Sequence, residues 1–163
     1  MKAQSLMTKS PACVTPDDSA QRVAQLMADN DCGCLPVVER RDNSRVIGVV
    51  TDRDIALRGV ARGKGPDVPV RELMTTDVCC CGPDADLSEV ERLMGDRQIR
   101  RIVVADGDGC CVGIISQADL ARAAEEGRDV SDREVARVVE CISEPARSPR
   151  AGSASRSASE QRL

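Results

Sequence analysis

The 163-residue sequence contains no phenylalanine, tyrosine or tryptophan. Proteins that hold single-stranded nucleic acid usually stack its bases on aromatic side chains and bind its phosphates with a basic surface. This chain has neither feature, because its formal net charge is −4 and its isoelectric point is about 5.0. We therefore expect no nucleic-acid partner. The missing aromatic residues also remove the largest contributors of buried area, so we expect stability to depend in part on homodimer formation.

Histidine is also absent. It is the commonest general base and a frequent zinc ligand, and the spacing of the other residues suggests no carboxylate pair or activated nucleophile. We therefore expect a protein that is not an enzyme, with no catalytic cofactor and no metal site. The nine cysteines include no C-x-x-C pair, and we expect mostly free thiols that pack as small hydrophobic side chains.

Long apolar runs are missing as well. No segment approaches the roughly 20 apolar residues that a membrane-spanning helix needs, and residues 1–10 are too polar for a signal peptide. The sequence therefore predicts a cytoplasmic protein with no membrane partner.

An internal duplication organises the chain. Met7-Thr8 recurs as Met74-Thr75, an offset of 67 positions. The same offset relates Pro16-Asp17 to Pro83-Asp84, Leu26-Met27 to Leu93-Met94, and Leu35 to Ile102. From Gly48 to Gly113 the offset falls to 65, so the first copy has two extra residues in the loop 40–45. Insertions of this kind are tolerated in surface loops.

Each copy has the residue pattern of a β-α-β-β-α unit, which is an α/β (α+β) fold class. The predicted strands include 12–14 and 78–81, then 35–38 and 102–105, and the predicted closing helices are 52–62 and 117–126. We place the first unit at residues 1–66 and the second at 67–127. Ser19 is expected to cap the first amphipathic helix, and Asp86 with Glu89 is expected to form a capping box for its counterpart.

After the second unit the sequence predicts a C-terminal helix within residues 128–143. Ser131 and Glu134 match a capping box, and an apolar stripe follows at Val135, Val138, Val139 and Ile142, which indicates a core or dimer contact. Residues 144–163 contain almost nothing to bury and are predicted to be disordered. A solvated tail is expected, and docking to an acidic partner is the alternative.

The most informative segment occurs twice, as Gly48-x-x-Thr51-x-x-Asp54 and Gly113-x-x-Ser116-x-x-Asp119. In each copy a β-branched run ends at a hydroxyl residue that can cap the next helix. The first amides and the hydroxyl could donate to phosphate oxygens, and an ionised aspartate could accept from a ribose diol. Alternatively, both pairs are only capping boxes that stabilise their helices. The occurrence of two copies within a longer repeat favours a binding site.

These motifs together resemble a tandem pair of CBS (cystathionine-beta-synthase-type) domains, also called a Bateman module. The likeness runs from about residue 6 to residue 124. Besides the two glycine motifs it includes Thr15-Pro16-Asp17 with Gly82-Pro83-Asp84, Leu35-Pro36-Val37-Val38, and Gln98-Ile99-Arg100-Arg101. The resemblance implies two units packed sheet to sheet, with interface clefts that commonly hold AMP, ADP, ATP or S-adenosylmethionine, and a regulatory role.

The resemblance also implies roles for single residues. Asp54 and Asp119 would hold ribose hydroxyls, whereas Thr51 and Ser116 would meet the phosphate. The base would lie near Thr15 or Gly82 and beside Leu35-Pro36 or Ile102-Val103, and Gly48 and Gly113 open the two motifs. Arg53 and Arg101 are candidate phosphate ligands or ordinary surface residues. Val103 and Gly82 depart from the pattern of the first copy, where Pro36 and Thr15 stand, so the Asp54 motif is the stronger candidate.

Two hypotheses follow for function. In the first, the chain is an adenosyl-ligand sensor that regulates an unknown protein partner in trans. In the second, it is a ligand-free dimeric scaffold whose motif aspartates serve only as caps.

Overall fold

The computed structural model describes residues 1–128 and 130–143, except for the side chain of Glu134. The predicted tail, residues 144–163, lies outside the described residues. The predicted capping box at Ser131 depends on the Glu134 side chain and therefore also lies outside them.

Six strands and six α-helices are described in this part of the chain. The strands are β1 (Thr8–Lys9), β2 (Cys34–Arg40), β3 (Asn43–Thr51), β4 (Cys80–Cys81), β5 (Arg101–Ala105) and β6 (Cys111–Ser116). The helices are α1 (Ala3–Leu6), α2 (Ala20–Asp29), α3 (Asp52–Asp54), α4 (Leu87–Arg97), α5 (Gln117–Glu125) and α6 (Asp132–Ser143). A short 3₁₀ turn, Val70–Glu72, leads into the second unit.

Two sheets form from these strands. One has the order β1-β6-β5-β4 and the other is the hairpin β2-β3, and only β4 and β5 pair in parallel. Leu35 lies opposite Val50 in the hairpin, and Ile102 lies opposite Ile115 in the larger sheet. The sheets meet where β3 runs beside β6, and the Val46 amide donates to the Gly109 carbonyl there at 3.0 Å. The predicted fold class is confirmed.

The two hydrophobic cores exchange their entry segments. The entry segment of each unit is the stretch at its start. Ala3 and Leu6, in the entry segment of the first unit, are buried in the core of the second unit. Val70 and Leu73, in the entry segment of the second unit, are buried in the core of the first. Each core is therefore completed by residues from the start of the other unit. The division of the chain at residues 66 and 127 stays a prediction.

The exchange continues into the sheets and explains the repeated Met-Thr. Thr8 pairs with Ile114 on β6, and Thr75 forms a bridge with Val49 on β3. Met7 covers Gly113, and the sulfur of Met74 lies close above Gly48. A Cβ at Gly113 would clash with Met7, whereas a Cβ at Gly48 would lie 3.1 Å from the Met74 sulfur and from the Thr75 carbonyl oxygen, a tight contact that favours glycine.

The predicted strand 12–14 is wrong, and its counterpart 78–81 is shorter than predicted. Only Val14 forms a bridge, in parallel with Val37. The reason is that residues 11–13 cross from one sheet to the other: the Ser10 amide bonds to Val112 on β6, and the Val14 amide bonds to Pro36 on β2. In the second unit, Cys80 and Cys81 pair with Val103 and Val104.

The predicted helix 52–62 is helical throughout but is not one α-helix. After α3 it continues as a π-helical turn, Ile55–Gly59, and a 3₁₀ turn, Val60–Arg62. Gly59 has φ −96° and ψ −85°, outside the α-helical range, and glycine tolerates such a departure at low steric cost. The predicted helix 117–126 is found as α5, one residue shorter.

The two predicted caps of the amphipathic helices have different outcomes. The Ser19 side chain accepts from the Arg22 amide at 3.2 Å, which confirms the cap of α2. The capping box at Asp86 and Glu89 is wrong, because Asp86 makes no side-chain cap bond. Its carboxylate lies instead 3.0 Å from Lys2 Nζ. The hydrogen bond and charge of Lys2 lower the pKa of Asp86.

The C-terminal helix α6 packs against α4 and α5. Val138 and Ile142 are buried in the core of the second unit, and Val135 is partly buried against it. The apolar stripe is therefore a core contact. Among the described residues, no helix has the length and apolar character required to cross a bilayer.

Candidate functional site

Thr51 and Asp54 form a reciprocal capping box at the junction of β3 and α3. The Thr51 hydroxyl accepts from the Asp54 amide at 3.1 Å, and Asp54 Oδ2 accepts from the Thr51 amide at 3.0 Å and from its hydroxyl at 2.7 Å. Ser116 and Asp119 form the same box before α5. The capping role that the sequence leaves open is thus present in both units, and a ligand role must rest on what else surrounds these residues.

The first amides of α3 are already occupied. Asp52 N donates to the Gly33 carbonyl at 3.2 Å, Arg53 N to Asp52 Oδ1 at 2.7 Å, and Asp54 N to Thr51 Oγ1 at 3.1 Å. In this conformation these amides have internal partners and are not free to bind phosphate. A phosphate at this corner needs side-chain donors.

The two motif aspartates differ at their second oxygen. Asp119 Oδ1 accepts from Arg122 at 2.5 Å. Asp54 Oδ1 lies 3.6 Å from Arg58 Nε, beyond hydrogen-bonding distance, because the Arg58 guanidinium donates to the carbonyls of Leu73 and Met74 at 2.7 and 2.8 Å. An ionised carboxylate oxygen has about two acceptor sites. Asp54 Oδ1 is therefore the more available oxygen for a ribose hydroxyl.

Asp54 lies in a cleft between the two units, with a volume of about 620 Å³. Clefts of roughly 300 to 1,000 Å³ are typical of small-molecule sites. Thr51 and Arg53 line the cleft on the first-unit side, and Arg101 lines it on the second-unit side. Its apolar lining includes Val49, Val78, Ile99, Val103, Ile114 and Ile142. The cleft thus combines a hydroxyl, a carboxylate and guanidinium groups with an apolar surface.

The charged lining of this cleft has one more arginine than aspartate. Four arginines, Arg53, Arg97, Arg100 and Arg101, face three aspartates, Asp52, Asp54 and Asp77. Arg97 is paired with Asp77 at 2.9 Å. Guanidinium groups match phosphate oxygens in geometry and keep their charge. The arrangement can therefore bind an anionic group beside Asp54.

The repeat does not reproduce this cationic surface in the first unit. The offset of 67 places Asn30, Gly33 and Cys34 at the positions equivalent to Arg97, Arg100 and Arg101. The backbone is nevertheless similar, since Asp31 and Gln98 occupy equivalent positions and both have left-handed φ values, 47° and 52°. The two units thus differ in charge where they are alike in shape.

Two thiols in the cleft are neutral at physiological pH. Burial raises the pKa of Cys34 to about 12, opposed in part by the nearby Arg101. Burial also raises the pKa of Cys79. Protonated thiols behave as small apolar groups, so both extend the apolar surface.

The other predicted site residues lie elsewhere in the described structure. Leu35 and Ile102 are buried in the two cores, and Pro36 is buried within β2. The Thr15 amide and hydroxyl donate to Asp18, while Gly82 is exposed. The described cleft lining includes neither Gly48 nor Gly113, and it includes neither Ser116 nor Asp119. Asp54 therefore faces the strand residues of the second unit rather than Leu35 and Pro36.

Sequence reasoning missed several residues of the cleft. Arg97 directly precedes the quoted stretch Gln98-Ile99-Arg100-Arg101, and Arg100 lies inside it without having been named as a ligand candidate. The local density of arginine between 97 and 101 could have revealed both. Asp77, Val78 and Cys79 carry no comparable signal. Ile142 comes from α6, and its approach to the cleft depends on tertiary packing.

The family model for the CBS domain matches residues 3–59 and 70–126, which correspond to the two repeats. The chain belongs to the CBS domain family. The predicted resemblance is confirmed.

Individual relatives support the assignment. The CBS domain-containing protein YhcV of Bacillus subtilis is 39% identical over 115 residues, covering 71% of this chain and 79% of YhcV. The crystal structure of Hypoxic Response Protein I with two coordinated zinc ions is 32% identical, with a TM-score of 0.68, covering 75% of this chain and 98% of that one. The structure of the CBS domain protein PAE2072 from Pyrobaculum aerophilum complexed with AMP is 27% identical, with a TM-score of 0.67. The match covers 74% of this chain and 90% of that one.

Proposed function

We propose that this CBS domain pair is a regulatory sensor that binds a phosphate-bearing adenosyl ligand in the cleft beside Asp54. The observation that supports this proposal is that the cleft combines a carboxylate oxygen available to a ribose with several arginine side chains and an apolar surface. The related protein PAE2072 was crystallised with AMP, which supports an adenine nucleotide as the ligand class.

Each ligand part has a chemical counterpart in the cleft. Asp54 Oδ1 accepts from a ribose hydroxyl, Arg53, Arg100 and Arg101 donate to phosphate oxygens, and the adenine lies against side chains such as Val78 and Val103. The amides of α3 take no part, because they have internal partners. Among the ligands expected from the sequence, the cationic wall favours AMP, ADP or ATP over S-adenosylmethionine, whose sulfonium carries positive charge.

The charge difference between the repeats supports one phosphate-bearing ligand per chain. The first-unit positions equivalent to Arg97, Arg100 and Arg101 carry no cation, and Asp119 Oδ1 is held by Arg122. A nucleotide placed against Asp119 would lack the guanidinium wall and would share the carboxylate oxygen with Arg122. We expect a stoichiometry near one.

The alternative is a ligand-free scaffold that acts through its surface. It is favoured by the two complete capping boxes, which give Thr51, Asp54, Ser116 and Asp119 a structural role without any ligand. In either case we propose a cytoplasmic regulatory homodimer, not an enzyme, that acts on an unknown protein partner in trans.

Equilibrium dialysis tests the sensor directly. The chain has no aromatic residue, so the near-ultraviolet absorbance of adenine reports the ligand against almost no protein background. AMP, ADP, ATP, S-adenosylmethionine and adenosine are dialysed separately against the reduced full chain. We expect saturable binding of at least one nucleotide at about one per chain, and adenosine should bind at least about tenfold more weakly because a charge-assisted phosphate contact contributes roughly 1.5 kcal/mol or more.

Two outcomes would contradict parts of this proposal. Equal affinity for adenosine and AMP would show that the phosphate group does not contribute to binding. No binding of any of the five compounds to a protein with a cooperative melt would exclude the sensor and leave the scaffold.

A further inference from the structure

The segment that joins the two sheets carries a cysteine at its crossing point. Residues 10–14 leave β6, where the Ser10 amide donates to the Val112 carbonyl at 3.2 Å, and reach β2, where the Val14 amide donates to the Pro36 carbonyl at 3.0 Å. Cys13 lies between these two anchors. Cys111 is the first residue of β6, immediately before Val112. The backbone thus brings a cysteine of the first unit to the strand of the second unit that bears Cys111.

The two side chains are neighbours. Both residues are half-buried, and an interaction between their thiols shifts the pKa of each. Their remaining contacts are weak: Cys13 Sγ donates to the Pro11 carbonyl at 3.4 Å, and Cys111 Sγ to the Gly113 carbonyl at 3.7 Å. No described metal-binding group of three or more residues includes them. Two thiols alone fall short of the four ligands of a structural zinc site.

The interaction shifts the pKa values of the two thiols in opposite directions. The hydrogen bond from Cys111 lowers the pKa of Cys13, although burial opposes it. The same contact and burial raise the pKa of Cys111. This pattern differs from that of Cys81, where burial raises the pKa to about 11. Because a thiolate is the attacking species in disulfide exchange, Cys13 is the better nucleophile of the pair.

We propose that Cys13 and Cys111 form a dithiol–disulfide site that links the two repeats covalently when the protein meets a small organic disulfide. This site is separate from the nucleotide cleft, whose described thiols are Cys34 and Cys79. In a reducing compartment the pair is expected to remain in the dithiol form.

The exchange proceeds in two balanced steps. The Cys13 thiolate attacks one sulfur of the small disulfide, forms a mixed disulfide, and releases one small thiolate. Cys111 then loses its proton to that released thiolate, attacks Cys13 Sγ, and expels the second small thiolate, which takes up the proton that Cys13 originally lost. The two protein thiols are oxidised and the small disulfide is reduced to two thiols. Once Cys13 is in the mixed disulfide its negative charge is gone, so one cause of the raised pKa of Cys111 is removed.

The disulfide would raise the stability of the folded protein measurably. It closes a loop of roughly 100 residues, and long closed loops restrict the unfolded chain most. It also ties the crossing segment to β6, so the two units could separate only after reduction. We expect the oxidised protein to melt at least about 5 °C above the reduced protein.

Peptide mapping of the full chain tests the proposal. Fully reduced protein is incubated with oxidised glutathione, remaining thiols are alkylated, and tryptic peptides are analysed without reduction. Residues 10–22 contain Cys13 alone, whereas residues 102–122 contain Cys110 and Cys111. We expect these two peptides to be joined in wild type and in Cys110→Ser, the matched control. The link should be lost in Cys13→Ser and Cys111→Ser, and dithiothreitol should reverse both the link and the melting shift.

A second measurement needs no variant. During brief alkylation of native reduced protein, Cys13 should be modified before Cys111. The proposal is overturned if Cys111 reacts first, if the link joins Cys13 to Cys110 or to residues 79–81, or if wild type stops at a glutathione adduct with no internal bond.

Discussion

Met7 lies directly over Gly113, and a Cβ built on that glycine would be 2.7 Å from Met7 Cγ and 3.0 Å from Met7 Cβ. The contact joins the entry segment of the first unit to the central strand β6 of the second. It explains why the repeated motif opens with glycine: the residue makes room for a methionine from elsewhere in the chain.

We expect Gly113→Ala to destabilise the fold. Met7 would have to change rotamer or shift β1, and overpacking of this kind costs about 1 to 3 kcal/mol, so the melting temperature should fall by roughly 3 to 10 °C. Gly107→Ala is the control, because no atom lies within 4 Å of a Cβ at that turn. Equal melting temperatures for the two variants by circular dichroism would show that the Met7 contact is easily rearranged.

Asp54→Ala and Asp119→Ala separate capping from ligand binding. Both remove the same capping box, so each should cost about 1 kcal/mol and lower the melting temperature by roughly 2 to 4 °C. Only Asp54 lines the described cleft. We therefore expect AMP to lose at least about tenfold in affinity for Asp54→Ala, since a charged hydrogen-bond acceptor contributes roughly 1.5 kcal/mol or more. Dialysis should give nearly wild-type affinity for Asp119→Ala, and an equal loss in both variants would place the ligand differently.

The arginine wall is tested by Arg100→Gln. Arg100 is exposed and lines the cleft, so its replacement should weaken ATP binding by about 1 kcal/mol, roughly fivefold, without changing the melting temperature of the free protein. Arg92→Gln is the matched control, because Arg92 is an exposed residue of the neighbouring helix α4 that pairs with Asp96. The affinity for adenosine should be the same in both variants as in wild type. A loss of adenosine affinity in Arg100→Gln would indicate a contact with the nucleoside instead.

Much of this architecture could be predicted from local pattern. The β-branched runs before Thr51 and Ser116 identify β3 and β6, and the spacing of hydroxyl and aspartate identifies both capping boxes. Such features depend on neighbouring residues, which the sequence displays directly. The same holds for the duplication, whose offsets align the two units.

Features that depend on distant packing could not be predicted in this way. No local signal shows that α1 completes the second core, or that residues 11–13 cross between sheets instead of forming a strand. Asp86 has a suitable spacing to Glu89, yet its carboxylate pairs with Lys2, which lies more than 80 positions earlier in the chain. The residues that line the cleft opposite Asp54 depend likewise on how the units face each other, which is why Val78 and Val103 lie in the described lining and Leu35 and Pro36 do not.

Lys2→Met should raise the pKa of Asp86 toward its ordinary range. In the folded protein Lys2 lowers that pKa, so the ion pair stabilises the fold above the unfolded pKa, about 3.9, and loses this effect as pH falls through the lower folded value. Carboxyl ¹³C shifts followed by NMR report the titration directly. Lys64→Met removes a lysine that pairs with Glu72, and it should leave the Asp86 titration unchanged. An unchanged midpoint in Lys2→Met would show that the ion pair does not persist in solution.

The predicted homodimer can be tested at the helical segment 52–62. In the second unit the equivalent helix α5 is covered by α6, whereas in the first unit Leu57 and Val60 are 50% and 71% exposed. They are three positions apart and therefore lie on neighbouring parts of one helical surface, where a second copy of the chain would bury them. We expect wild type to sediment as a dimer at micromolar concentration, and Leu57→Glu with Val60→Glu to sediment as a folded monomer. Arg62→Glu places a similar charge at an exposed position of the same segment and should leave the dimer intact. A wild-type monomer would refute the dimer itself, while a dimer that survives the double substitution would move the interface to another surface.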